Sequence, residues 1–222
     1  FCQFYRSRQD LTKILVPYFQ AGLENNEFCM WVTSTPLTEK QAVASLRRAM
    51  PGLDAYLERG QIEVLPYSQW YLKGGAFDRD SVLNGWLEKL EQALSRGFDG
   101  LRLTGNTAWL EKRDWEGFTQ YEEAVNSVLG RHRIMALCTY SLERCTGSEI
   151  LDVIRNHQFA LVRSAKGWEL IEASSLREAR ERVRRIEERY RNLFNAMNEG
   201  FAVHEIVCDA NGNPSDYRFL EV

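Results

Sequence analysis

Apolar positions recur along the first two thirds of the chain with two alternating periods, one helical and one strand-like. Leu11, Ile14, Leu15, Tyr18, Phe19 and Leu23 fall at helical spacing, which predicts a core helix over Asp10–Asn25, with Asp10 as N-cap and Asn25-Asn26 as its stop. Phe28–Ser34 (FCMWVTS) is an almost unbroken apolar run of strand length, as expected of a strand covered on both faces. Pro36 and Thr38 then introduce a helix to about Met50, Leu53–Arg59 reads as a short second one, and Gln61–Tyr67 alternates like a strand. Next come a Leu-rich helix over Ser81–Arg96 and a strand over Gly100–Asn106. A long helix over Ala108–Leu129 carries Trp109, Trp115, Phe118, Tyr121, Val125 and Leu129 on one side. Arg133–Tyr140 reads as a buried strand and Ser148–Asn156 as a helix, and Phe159–Ser164 with Trp168–Ala173 reads as a hairpin joined across Lys166-Gly167. Strands alternating with helices predict a three-layer α/β domain over 1–173, a mainly parallel sheet flanked by helices and finished by an antiparallel edge.

From Ser174 the period changes. With Leu176 at position a, the register runs Ala179 d, Val183 a, Ile186 d, Tyr190 a, Leu193 d and Met197 a, and Arg and Glu fill nearly every other place up to Arg191. So narrow a stripe predicts a two-stranded seam, a dimerising connector helix over 174–197; a core-facing helix normally shows a wider apolar face. The alternative is an amphipathic helix lying on its own domain. Glu178–Arg182, Glu181–Arg185 and Glu187–Arg191 are spaced i,i+4 with the acid leading, the favourable order on an exposed helix. Gly200–Cys208 and Asp216–Val222 read as strands around the polar turn Asp209–Ser215, which is too little to make a domain alone. The chain opens without Met and ends on an unaccompanied strand, so it is expected to be a segment of a longer protein, cut inside its second domain.

Composition narrows the partners. Of 222 residues, 44% are hydrophobic and 27% charged, with a net charge of −3, and Lys and Arg are dispersed except in the connector, where acids neutralise them. Nucleic acid is therefore not an expected partner. No apolar run approaches a membrane span, and FCQFYRSRQD is no signal peptide. The five cysteines, Cys2, Cys29, Cys138, Cys145 and Cys208, are odd in number and widely spaced, so they write neither a disulfide framework nor a CxxC metal site; a reduced, cytoplasmic setting is expected.

In an open α/β sheet, ligands sit at the C-terminal ends of the strands. That gathers Thr33-Ser34-Thr35, Tyr67–Tyr71, Thr104–Thr107 and Cys138–Ser141 around one candidate pocket, where Trp70, Tyr71 and Trp109 beside Arg102, Cys138 and Tyr140 suit a small, partly apolar molecule. The aromatic loop Ser68–Asp78 is a lid, a binding rim or a hydrophobic plug. A nucleotide machine of this architecture needs GxxxxGK[ST] ahead of its first helix, and FCQFYRSRQDLTK lacks it, so no ATP hydrolysis, no catalysis and no cofactor are expected. His132, His157 and His204 read as surface or structural. No spacing demands a metal, although Cys2, Cys29, Cys138 and a histidine could converge in space. Cys2, beside Arg6, is the thiol to test for redox chemistry, while Cys138 in an apolar strand reads as a small hydrophobe.

The blocks CQFY (Cys2–Tyr5), VPYFQAGLENNEFCMWVTS (Val16–Ser34), LRLTGNTAW (Leu101–Trp109), YEEAVN (Tyr121–Asn126) and ALCTYSLERCTGSEILDVIRNH (Ala136–His157) resemble, in order, the MEDS sensory domain, found in the dichloromethane regulator DcmR and in sensors of methanogens and methylotrophs. The resemblance covers about 1–173. It implies a fold related to the RecA/KaiC ATPases without the phosphate loop, and the sensing of small hydrocarbon derivatives; its first block adds Cys2 and Tyr5 to the candidate ligand residues. Arg191–Val222 is similar to the opening of a PAS domain, the 198–222 part being its first strands, and such domains commonly follow connectors in sensor histidine kinases. Three readings follow: a ligand-sensing input domain signalling through a homodimeric helix to PAS and kinase modules, a degenerate nucleotide-binding enzyme, or a ligand-free dimerisation platform.

Overall fold

The computed structural model describes residues 1–164, 167–196, 203–210 and 212–221, which fall into two compact units, Phe1–Ala173 and Ser174–Val222. The first unit is a seven-stranded sheet in the order β3-β2-β4-β5-β1-β6-β7. Its strands are β1 (Cys2–Tyr5), β2 (Phe28–Thr33), β3 (Ile62–Pro66), β4 (Leu101–Asn106), β5 (Ile134–Ser141), β6 (Phe159–Ser164) and β7 (Gly167–Glu172). All neighbours run parallel except β6 and β7, the antiparallel edge.

Helices cover both faces, giving three layers. On one side lie α1 (Arg8–Glu24), α2 (Glu39–Ala49) and α3 (Leu53–Glu58), whose Leu11, Phe19, Leu46 and Leu53 bury against Cys29, Trp31 and Leu137 of the sheet. On the other lie α4 (Tyr67–Trp70), α5 (Arg79–Ser95), α6 (Trp115–Leu129) and α7 (Gly147–Asn156), whose Trp86, Phe118, Tyr121 and Val153 bury against Met30, Leu103 and Tyr140. Because successive side chains of a strand point to opposite faces, strands such as β2 and β5 feed both cores.

Two boundaries and one strand differ from the sequence reading. Helix α1 starts at Arg8, and its N-cap is Ser7, not Asp10: Ser7 Oγ accepts from the Asp10 amide and the Asp10 carboxylate accepts from the Ser7 amide, a capping box. The helix expected from Ala108 begins only at Trp115. Asn106 Oδ1 accepts from the Ala108 amide at 2.9 Å and holds a turn, and a short 3-10 segment, Lys112–Asp114, leads into α6. Strand β1 is the element that the apolar pattern did not announce, and it sits between β5 and β6 in the sheet interior.

In the second unit α8 (Ser174–Ala196) is a single helix, and β8 (Val203–Cys208) pairs antiparallel with β9 (Pro214–Glu221). Val183, Ile186 and Tyr190 are all more than half exposed on α8, and Leu176 is half-buried. Among the described residues, Arg184 and Glu188 form an ion pair along the helix at 3.6 Å, with the base leading. The Leu193 side chain and Met197 lie outside the described residues. Among the described residues no helix is long and apolar enough to cross a membrane.

Candidate functional site

Between the β4–β5 part of the sheet and α6 the packing leaves a cavity of about 40 Å³. Alternation along the strands aims Leu103, Gly105, Ala136 and Cys138 into it, while Arg102, Thr104, Leu137 and Thr139 turn to the other face. Gly105 and Cys138 are paired across the two strands, and a Cβ at Gly105 would collide with the Tyr71 hydroxyl, so the glycine gives that tyrosine its seat. Helix α6 supplies Phe118, Tyr121, Glu122 and Val125 at the spacing of one helical face. Tyr71 stacks on Trp109 with ring centroids 5.1 Å apart, and Trp109 meets Phe118 edge-on at 6.2 Å. Trp86 donates from Nε1 to the Tyr121 hydroxyl at 2.8 Å. The aromatic loop is thus a plug over an interior that is not filled solid.

The cavity's polar corner is made of Glu122, Cys138 and His157, whose ligating atoms all lie within 4.8 Å of one another. Burial pushes the Glu122 carboxyl well above the usual carboxylate range. Burial likewise lowers His157 from 6.5 to about 4 and raises the Cys138 thiol, with Glu122 adding to the rise. Burial thus favours the neutral form of each of the three. His157 Nδ1 lies 2.8 Å from the Val153 carbonyl, an acceptor only, so Nδ1 carries the hydrogen and Nε2 is left with its lone pair toward Glu122 Oε1, 3.7 Å away.

Of the eight candidate ligand residues, Tyr71, Trp109 and Cys138 line this cavity. Trp70 stands behind it, its ring 4.3 Å from that of Trp86. Tyr140 shares the face of Cys138 and meets His157 edge-on at 5.9 Å. Tyr5 is on the opposite face, donating to Asn106 Oδ1 at 3.1 Å. Arg102 is there too: it is ion-paired with Glu27, and its guanidinium lies 4.8 Å from the Tyr18 ring centre. Its position beside an apolar strand suggested a pocket residue, but the one-residue offset from Leu103 sends it to the α1 side. Cys2, the thiol to test for redox chemistry, is fully buried, and burial pushes it up to about 12, which disfavours the reactive thiolate. Glu122, His157, Phe118 and Tyr121 were not among the candidates. The readable signal was an acid, Glu122, inside the apolar stripe of α6.

A second opening lies at the C-terminal ends of β4 and β5, where a ligand was expected. It is a polar cleft of about 440 Å³ lined by Thr107, Glu111, Lys112, Ser141, Glu143 and Arg144, among others. The aromatic candidates lie outside it.

The family model for the methanogen/methylotroph, DcmR sensory domain (MEDS) matches residues 1–158. The transcriptional repressor DcmR of Methylorubrum extorquens is 26% identical over 160 residues, which are 71% of this chain and 57% of that protein, so this chain spans little more than half of that relative. Among solved structures, a KaiC-like protein of Pyrococcus horikoshii aligns at 13% identity and a TM-score of 0.44, covering 76% of this chain and 74% of that one. The flagellar accessory protein FlaH of Methanocaldococcus jannaschii aligns at 12% and 0.44, covering 79% and 78%.

Proposed function

This chain belongs to the MEDS family, and on that footing we propose that 1–173 is the ligand-sensing input domain of a cytoplasmic signal-transduction protein, which binds a small hydrocarbon derivative or related metabolite without transforming it. The observation that carries this reading is the cavity beneath α6, apolar on most sides and polar at one corner. At roughly 10–15 Å³ for a water-sized occupant, its volume of about 40 Å³ suits a molecule of about two to four heavy atoms. A nucleotide reading is disfavoured by the connection from β1 to α1, which is only Arg6 and Ser7, too short to cradle a triphosphate; the N-terminus of α1 is already capped by Ser7 and Asp10.

Two probes, dichloromethane and methanol, test this reading. Trp86 and Trp109 line the cavity, so a saturable change in tryptophan emission is expected with at least one of them, abolished in Ala136→Val, which fills the space from the strand side. An unsaturable response, or an identical one in the variant, contradicts it.

Signal transfer is assigned to α8, as a homodimer leading to PAS and kinase modules. A ligand shifts such an output only by favouring one of two arrangements of the dimer helix. The exposed row Val183, Ile186 and Tyr190 supports the assignment. Light scattering should report a dimer that becomes monomeric when Val183 and Ile186 are both changed to Asp; an unchanged dimer sinks it.

A further inference from the structure

We propose that Glu122, Cys138 and His157 bind one divalent transition-metal ion of the zinc type. The donors come from α6, β5 and the residue ending α7, so the fold, not a local motif, brings them together. Carboxylate oxygen, thiolate sulfur and imidazole nitrogen form a set that zinc and its first-row neighbours accept, and tetrahedral bonds of about 2.0–2.3 Å place donor atoms about 3.3–3.8 Å apart. Glu122 Oε1 and His157 Nε2 already stand at 3.7 Å, and the widest pair, within 4.8 Å, closes by about 1 Å through small side-chain rotations.

Two further observations point to an occupant. Glu122 is 5% exposed and its Oε1 has no hydrogen-bond partner; 3.7 Å to His157 is too long to count as one. His157 is also oriented as ligating histidines are, its Nδ1 hydrogen held by a backbone carbonyl and its Nε2 lone pair turned toward the other two donors. Charge balances as well. When the ion enters, Cys138 and Glu122 each release a proton to solvent and coordinate as thiolate and carboxylate, while His157 enters neutral, so a dication leaves no net charge buried. Three protein donors leave a fourth position toward the cavity, open to a small oxygen or sulfur donor. That last step rests on the ligand-sensing reading, whereas the metal site does not, and titration with metal alone separates the two.

The probe is Co²⁺, added to reduced, chelator-stripped protein. One equivalent should give a thiolate-to-cobalt charge-transfer band with the visible d–d absorption of a four-coordinate ion. The band should vanish in Cys138→Ala, affinity should fall at least tenfold in His157→Gln and in Glu122→Gln, and Cys208→Ser, which removes an exposed thiol, should leave the spectrum unchanged. Near-ultraviolet dichroism checks folding; if Cys138→Ala does not fold, the near-isosteric Glu122→Gln carries the test. Absence of a thiolate band, a band that survives Cys138→Ala, or one lost in Cys208→Ser overturns the proposal, the last meaning adventitious surface binding. A buried water at the corner, which would also satisfy Glu122, predicts no band at all.

Discussion

The two faces of the sheet are built from the same strands and differ in how completely they are closed. On the α1 side each prominent polar group has a partner close by. Arg102 meets Glu27 and Tyr18, Gln61 Nε2 donates to the carbonyls of Leu23 and Glu27 at 3.0 and 2.9 Å, and Thr104 and Thr139 donate to strand carbonyls at 2.7 and 3.1 Å. The atoms left over on the strands of that side are amide nitrogens of Gln3 and Asn106. On the α6 side, Glu122 Oε1, the Tyr140 hydroxyl and the indole nitrogens of Trp70, Trp109 and Trp115 are buried without partners among the described residues, and Glu122 and Trp109 line a space that the side chains do not fill. A buried polar group normally has a partner, so unpaired groups gathered round a void mark where a molecule is accommodated. The closed face anchors, and the open face receives.

Breaking the closed face should cost most. Arg102→Ala leaves Glu27 without its counter-ion in a largely buried setting, and a loss of about 3–5 kcal/mol is expected from urea unfolding. A loss below about 1 kcal/mol would show that the pair is solvated and the face less closed than drawn.

The pH dependence of the open face comes next. With His157 lowered from 6.5 to about 4, the unfolded chain takes the proton first, so this group's stabilisation is lost as pH falls from 6.5 to 4. With Glu122 raised above 4.5, the unfolded chain gives up its proton first, so that group's stabilisation is lost as pH rises past 4.5. Between 4.5 and 6.5 the two slopes oppose each other, so the wild type should vary less with pH than either single variant. In the presence of chelator, Glu122→Gln unmasks His157, and stability should climb by about 3 kcal/mol between pH 4 and 6.5. His157→Gln should instead lose stability above pH 4.5. Variants with the wild-type profile would mean that the corner does not titrate as a neutral pair.

Ala136→Val has the smallest expected effect, within about 1 kcal/mol of the wild type and toward stabilisation, because two added carbons enter existing space. A loss above about 1 kcal/mol, the overpacking cost, would mean that the cavity closes in solution.

Much of the architecture was legible in the sequence because periodicity reports burial directly. Phe28–Val32 is apolar throughout and is buried throughout, and the Thr38 cap marks the start of its helix. Strand β1 was not, since four residues containing Gln3 carry too little pattern, although β1 lies inside the sheet between β5 and β6. Alternation says that Arg102 and Leu103 face opposite ways but not which face holds a cavity; that depends on how α6 sits, and the start of α6 was misplaced by the Asn106 turn. The polar corner was the least legible part. Glu122, Cys138 and His157 are separated by 16 and 19 positions, a spacing set by a strand and a helix between them and by no local motif.

Amide hydrogen exchange under native conditions tests the contrast between the faces most directly, comparing α1 with α6 in the wild type and in Ala136→Val. The expected result is a lower opening free energy for α6 than for α1 in the wild type, and added protection confined to α6 in the variant. Equal opening free energies for the two helices, with a variant that protects neither or both alike, would contradict the account.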